Sequence, residues 1–277
     1  MDIERFIRAA IEEDIRTGDH TSLACIPKDK TSKAELIAKE SGIIAGIAIA
    51  EKVFKILDSG LTIDVFFRDG DRIEKGDLVL FVQGKAQSIL MAERLALNFM
   101  QRMSGIATLT NKFVEALKGT GTRVLDTRKT TPLFRQFEKM AVKTGGGENH
   151  RFGLWDMLMI KDNHIEYSGG IAPAIAAANS YLKKNKLALH IEIETASLEQ
   201  VEEVLKTGNV HRIMLDNFKI PELKKAVRLI NKQYETEASG GITLENARDY
   251  AATGVDFISV GALTHSYKSL DLSLKAI

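Results

Sequence analysis

The chain has 277 residues, of which 44% are apolar, 27% charged and 6% aromatic, the make-up of an ordered globular protein with material for a large buried core. Lys and Arg number 38 against 37 Asp and Glu, so no global field draws the chain to nucleic acid or an anionic membrane, and any anionic ligand must be held by a local cluster of cations. The lone Cys25 excludes an internal disulfide framework and a multi-cysteine zinc site, and a reducing cytoplasm is the expected compartment.

The N-terminal run MDIERFIRAAIEEDIRTGD carries acidic residues through an amphipathic helical pattern. That is the wrong chemistry for a secretory or transit peptide, so the segment is expected to stay in the mature protein. The most apolar stretch, residues 42–50, is far shorter than the roughly 20 residues a membrane span needs. From about Thr31 to Leu90 the β-type runs KAELIAKES, LTIDVFF and LVLFVQG alternate with turn signals such as RDGDRIEKGD, with a helix read over 48–57. This predicts an N-terminal α+β sandwich domain. Its turn resembles that of biotinyl and lipoyl carrier domains, but Lys85 in QGKAQ lies after the strand and lacks the hairpin-tip flanks of a modifiable lysine. Between Met91 and Ala116, Leu95, Phe99, Met103 and Ile106 recur at helical spacing, and Met91, Met100 and Met103 read as packing residues of one long helix.

A different rhythm follows: RVLDT, a Gly-rich loop, LMIKDN, LHIEIET, RIMLDN, YETEASGGI and FISVGA, with helical segments such as SLEQVEEVLKTG, IPELKKAVRLINK and TLENARDYAATG between most of them. Alternating strands and helices imply a parallel sheet with right-handed crossovers, and here an α/β, TIM-like barrel, complete or incomplete. The expected division is residues 1–103 for the sandwich domain, 104–266 for the barrel, and a tail, 267–277, packing back on the first domain. In such barrels the C-terminal strand ends build the site. Those ends carry Asp126, Arg128, Lys129, Lys161, Asp162, Asn163, His164, Glu194, Asp216, Asn217, Ser239, Gly240, Gly241 and Gly261. Gathering so many charges on one rim costs stability through repulsion and desolvation, which points to a ligand.

The segments ERLALNFMQRMSGIAT, LDTRKTTP, EKMAVKTGGGENHRFGL, IKDNHI, IEIET, IMLDNF, EASGGI and SVGALTHS stand in the order found in the quinolinate phosphoribosyltransferases, which the chain closely resembles from Glu93 to Ser266. The resemblance implies transfer of a phosphoribosyl group from phosphoribosyl pyrophosphate to quinolinate with loss of carbon dioxide, giving nicotinate mononucleotide for NAD biosynthesis. Two departures stand out. Where the family has a Gly after the Pro of its DTRKT-xP segment this chain reads Leu133-Phe134, and an extra residue between Glu194 and Asp216 is expected in the 208–211 turn.

A substrate with two carboxylates on one ring asks for fixed cations, preferably Arg forks. The resemblance assigns Arg128, His150, Arg151 and Lys161 to it, with Arg94 reaching in from a neighbouring subunit of a homodimer at least, and of hexamers in some relatives. Lys129 is expected between the two ligands. Glu194 and Asp216 are the candidate Mg²⁺ ligands, since hard oxygen donors suit Mg²⁺ and no Cys/His cluster suits zinc. Lys161, Glu194 and Asp216 make up the expected catalytic set. Backbone amides of Ser239, Gly240, Gly241 and Gly261, with His265, form the expected phosphate cradle.

Blander readings apply to several of these positions. His20, His190 and His211 read as structural, Asp126 and Asp162 equally as groups that orient neighbouring cations or as ligand contacts, and His164 as site wall or support for it. His150, beside Arg151 after Gly145–Gly147, reads as a ligand contact. Three rival functions remain at this level. The molybdenum-transport-linked relatives share the DTRK-like and GGG-xHR segments, with the retained IKDNH as discriminator. A carrier module and a catalytically dead phosphate-binding barrel are the other two.

Overall fold

The structure, a computed structural model, describes residues 2–277. In chain order its elements are α1 (Ile3–Ile15), α2 (His20–Cys25), β1 (Thr31–Ala38), β2 (Gly42–Ile43), α3 (Ile47–Leu57), β3 (Thr62–Val65), β4 (Arg72–Ile73), β5 (Leu78–Lys85), α4 (Ala86–Ala116), β6 (Arg123–Leu125), α5 (Arg135–Thr144), β7 (Leu158–Ile160), α6 (Asp162–Ser168), α7 (Ile171–Asn185), β8 (Ile191–Thr195), α8 (Leu198–Thr207), β9 (Arg212–Asp216), α9 (Ile220–Ile230), β10 (Glu235–Ser239), α10 (Ala247–Ala251), β11 (Phe257–Ser259), α11 (Ala262–His265) and β12 (Leu272–Ala276). They fall into two compact units. One gathers residues up to Leu109 with Gln136–Gly146 and Tyr267–Ile277, the other Thr110–Arg135 with Gly147–Ser266.

The first unit is built on a four-stranded antiparallel sheet in the order β12-β1-β5-β3. Along β1 every second residue from Ala34 is buried, the period-2 signature of a sheet with one face on a core. Leu36 stands opposite Leu274 on one side and Leu80 on the other. Helix α4 contributes Phe99, Met100, Met103 and Ile106 to this core, all nearly inaccessible. The sequence reading passes over α5 and leaves its residues in the barrel domain. The structure instead groups 136–146 with the first unit, and the reason is aromatic: the Phe137 ring lies 5.0 Å from those of both Phe6 and Phe99. Lys85 ends β5 in register with Thr31 and runs straight into α4, so the carrier reading has no hairpin tip to stand on.

The second unit holds six parallel strands in the order β6-β11-β10-β9-β8-β7. β6 and β7 are the two edges, so the barrel is TIM-like but open. Local signals explain its helices: the Ser197 hydroxyl accepts the Gln200 N–H to open α8, and Pro221 begins α9. The predicted helix over TLENARDYAATG shrinks to the five residues of α10. Gly208 and Asn209 both turn left-handed, at φ 68° and 59°, in the turn where an extra residue was expected. The middle strands are buried on both faces: Ile191, Glu192 and Ile193 are each 0% exposed. In a barrel strand one face meets the helices and the other the interior, so an alternating Ile-Glu-Ile run places its glutamate inside. Among the described residues no helix is long and apolar enough to cross a membrane.

Candidate active site

A cleft of about 710 Å³ opens within the second unit, a size suited to small-molecule ligands. Arg128, Lys129, His150, Arg151, Lys161, Glu194, Asp216, Ser239, Gly240, Gly241, Gly261 and His265 all line it. The strand-end rule therefore brings every site residue expected in the barrel to one place. Arg94 is exposed on α4 in the first unit and His164 does not line the cleft.

Lys161 closes β7 and caps α6, where its N–H donates to His164 Nδ1 at 2.9 Å. His164 thus supports the position of Lys161. The ammonium Nζ lies 2.7 Å from Glu194 Oε2, with the lysine side chain 43% exposed and the glutamate 16%. Asp216, at the end of the adjacent strand β9, accepts a hydrogen bond from Asn217 Nδ2 at 2.6 Å. Asn217 itself takes a left-handed backbone, φ 56°, and its N–H donates to Ser239 O at 2.8 Å.

The glycines of the cradle divide by reason. At Gly240, φ 100°, an added Cβ would collide with the Asn217 carboxamide, so the missing side chain is space for the group that orients Asp216. Gly241, φ 60°, has nothing within 4 Å of a Cβ and is needed for its backbone conformation and the room beside it. Gly261 lets the Lys129 and His265 side chains come close, at 3.0 and 3.1 Å from where its Cβ would stand. Thr264 Oγ1 donates to Lys129 O at 2.7 Å, tying that lysine to α11.

The Arg151 guanidinium is held below its ordinary value by burial and then by the charge of Arg128. Two guanidiniums that repel each other in one cleft suit an anionic ligand. The triple glycine before Arg151 serves first as the end of α5, where Gly145 and Gly146 N–H groups donate to Ala141 O and Lys143 O.

His150 is the residue whose surroundings differ most from expectation. Its N–H donates to buried Asp126 Oδ1 at 2.9 Å, and its Nδ1 accepts the Arg151 N–H at 2.7 Å. Nε2 stands 2.9 Å from Glu192 Oε2 and 3.4 Å from Glu237 Oε2. Nδ1 is thereby engaged in a hydrogen bond, and Nε2 stands at ion-pair distance from two buried carboxylates. Burial alone would lower the imidazole, and the two carboxylates outweigh it and push it up to about 9. The Arg151 amide pulls the other way, because it requires a lone pair at Nδ1 that an imidazolium lacks. The hydrogen bond therefore favours a proton on Nε2, and the Glu192 carboxyl is pushed up by burial and then by the Glu237 charge. Burial also works on Glu237, but contacts from His150, Arg212 and Ser259 outweigh it and hold that carboxyl below its ordinary value.

Glu192, Glu237 and Arg212 are absent from the sequence reading of the site. Arg212 Nη1 lies 3.0 Å from Glu237 Oε2, its Nη2 and Nε bind Glu235 Oε2 at 2.9 and 3.1 Å, and its guanidinium lies 4.1 Å from the Phe257 ring centre. Glutamates inside barrel strands are the signal that finds the two acids, and through them Arg212, since a doubly buried strand cannot send a Glu to water.

Comparison with known proteins agrees with this geometry. Residues 19–104 match the model of the quinolinate phosphoribosyl transferase N-terminal domain and residues 106–275 that of its C-terminal domain. The chain is 48% identical to a mitochondrial quinolinate phosphoribosyltransferase [decarboxylating], 2b, of Nicotiana tabacum, covering 99% of this chain and 82% of the relative. It is 42% identical to a probable nicotinate-nucleotide pyrophosphorylase [carboxylating] of Bacillus subtilis, over 99% and 93% of the two chains. The solved structure of the nicotinate-nucleotide pyrophosphorylase of Francisella tularensis superimposes with a TM-score of 0.94 at 38% identity, over 99% of this chain and 96% of that one. The chain belongs to the quinolinate phosphoribosyltransferase family.

Proposed function

We infer that this chain transfers the phosphoribosyl group of phosphoribosyl pyrophosphate to quinolinate and releases pyrophosphate and carbon dioxide, forming nicotinate mononucleotide for NAD biosynthesis. One observation carries the reading: Arg128, Arg151 and Lys161 share a cleft with the carboxylates of Glu194 and Asp216 and a glycine-rich cradle. The cations suit a ring bearing two carboxylates, and the cradle suits a phosphate.

Arg128, Arg151 and Lys161 orient the quinolinate, with His150 beneath them and Lys129 between the two ligands. The ring nitrogen lone pair forms the bond to the anomeric carbon as the bond to pyrophosphate oxygen breaks. Glu194 and Asp216 stabilise the positive charge that develops on the sugar. As carbon dioxide departs, the electron pair of the broken carbon–carboxylate bond stays on the adjacent ring carbon, stabilised by the positive charge of the now quaternary nitrogen, and a proton then bonds to that carbon. No protein nucleophile is needed; orientation and exclusion of water are the chain's work.

Two cleft-lining carboxylates at adjacent strand ends, one oriented by Asn217, are the hard oxygen donors Mg²⁺ prefers. Mg²⁺ held there would neutralise charge on the departing pyrophosphate. A homodimer, with Arg94 completing the neighbouring site, is supported by exposed apolar side chains on the second unit: Leu133, Leu154 and Trp155 are 74%, 70% and 72% exposed. Their segments are tied together by Arg135, which donates to Thr130 Oγ1 and Phe152 O. The lone exposed thiol of Cys25 supports a reducing cytoplasm, and fractionation of the native host would test it.

The deciding assay supplies quinolinate, phosphoribosyl pyrophosphate and Mg²⁺ and follows pyrophosphate and carbon dioxide, with nicotinic acid and nicotinamide as competing acceptors. Equal release of both products with quinolinate alone is expected. Pyrophosphate release with nicotinic acid at the same efficiency would overturn the reading.

A further inference from the structure

Inside the open barrel lies a chain of charges of which His150 and Glu237 reach the cleft lining while Glu192 and Arg212 sit behind them. Arg212 starts β9 in register with Glu192 of β8 and Glu235 of β10. Its guanidinium meets Glu237, and Glu237 and Glu192 both approach His150 Nε2. From there the His150 ring passes to the Arg151 main chain through Nδ1. Glu192 and Glu237 are each 0% exposed, and Glu192 Oε1 and Glu237 Oε1 have no hydrogen-bond partner among the described residues. A well-packed apolar trio would cost the fold less than two buried acids and an arginine. Arg212 already brings a cation against Glu237, so the cluster is electrostatically served without any other.

We propose that Glu192 and Glu237, anchored by Arg212, are positioning residues for the dicarboxylate-binding end of the cleft, holding the His150 ring so that its Nδ1 fixes the Arg151 main chain and with it the guanidinium. The device has two arms. The carboxylates stand against Nε2 at ion-pair distance, while Asp126 holds the His150 main chain from β6's end. A ring held at both nitrogens and carried on a fixed main chain resists rotation, and the amide it accepts belongs to the very residue that must present its fork to a carboxylate. Loss of the grip leaves every ligand-contacting residue in the chain but frees Arg151 to wander.

This proposal rests on quinolinate being the acceptor, and its test keeps the two apart. The dissociation constant of quinolinate alone, by calorimetry, and the KM of each substrate are measured for wild type, Glu192→Gln, Glu237→Gln, His150→Asn and the Glu192→Gln/His150→Asn double variant. Arg212→Lys provides a milder perturbation should a glutamine variant fail to fold. For folded variants, checked by far-UV circular dichroism, quinolinate Kd and KM should rise about tenfold or more, while the KM for phosphoribosyl pyrophosphate stays within about twofold. The double variant should be no worse than its weaker-binding single parent, because both changes cut one chain of contacts. Unchanged quinolinate Kd in folded variants, or a KM that rises equally for both substrates, would sink the positioning role. Wild type that fails to bind quinolinate would instead remove the acceptor assignment, and this inference with it.

Discussion

Lys161 shows how one side chain serves two purposes. Its ammonium neutralises Glu194 at 2.7 Å, yet it is 43% exposed toward the cleft that holds Arg128 and Arg151. A mobile, half-exposed pair adds little to stability, so the residue's worth lies in the ligand. Lys161→Ala should lower kcat/KM for quinolinate about a hundredfold, since one charge-assisted hydrogen bond is worth roughly 1.5–3 kcal/mol, with thermal unfolding unchanged. Kinetics equal to wild type would take Lys161 out of the site. At this scale the rim was legible because a charge at a strand's end has only one reason to be there. The interior charges were not: Glu192 alternates with isoleucines as a solvent-facing strand residue does, Glu237 stands in the polar run ETEAS, and only the closure of both faces makes them buried. His150 was legible as part of the site, but which way its nitrogens turn depends on those two unseen acids.

Among elements, the parallel strands and their helices follow from periodicity and caps, whereas two pieces needed tertiary contacts. Helix α5 joins the first unit through the Phe6, Phe99 and Phe137 rings, three residues scattered over the chain that no local pattern links. Leu133 occupies a left-handed backbone, φ 63°, where the family's glycine would sit without strain. The loop after β10 makes a sharper distinction between neighbours. Gly240→Ala forces a methyl group into the Asn217 carboxamide that orients Asp216, whereas at Gly241 a methyl meets open space. Gly240→Ala should therefore reduce kcat/KM for phosphoribosyl pyrophosphate by about 10- to 100-fold, the range for a lost orienting partner. Gly241→Ala should cost mainly stability, about 1–2 kcal/mol for an L-residue in the left-handed region. Steady-state kinetics and thermal melts on the pair would show the split; equal kinetic losses would mean that Asn217 does not control Asp216.

For the molecule as a whole, a formal charge of +1 supplies no global field, so recognition is local to the cleft that holds Arg128, Lys129, Arg151 and Lys161, and its salt dependence belongs to the site. Every expected cation lines that cleft save one: Arg94 is exposed on α4 in the first unit. If a second copy supplies it, Arg94→Ala and Lys161→Ala damage sites in different ways, one by what a subunit lends and the other by what it keeps. Each homodimer is then inactive at both sites. A heterodimer of the two contains one site with both lesions and one with neither, so subunit exchange between the inactive proteins should restore up to about half the wild-type activity per dimer, as expected for shared symmetric interfaces. Tagged subunits and native mass spectrometry establish that heterodimers have formed. Verified heterodimers without activity would mean that Arg94 acts within its own chain or not at all, and the shared site would have to be abandoned even though the reaction itself stood.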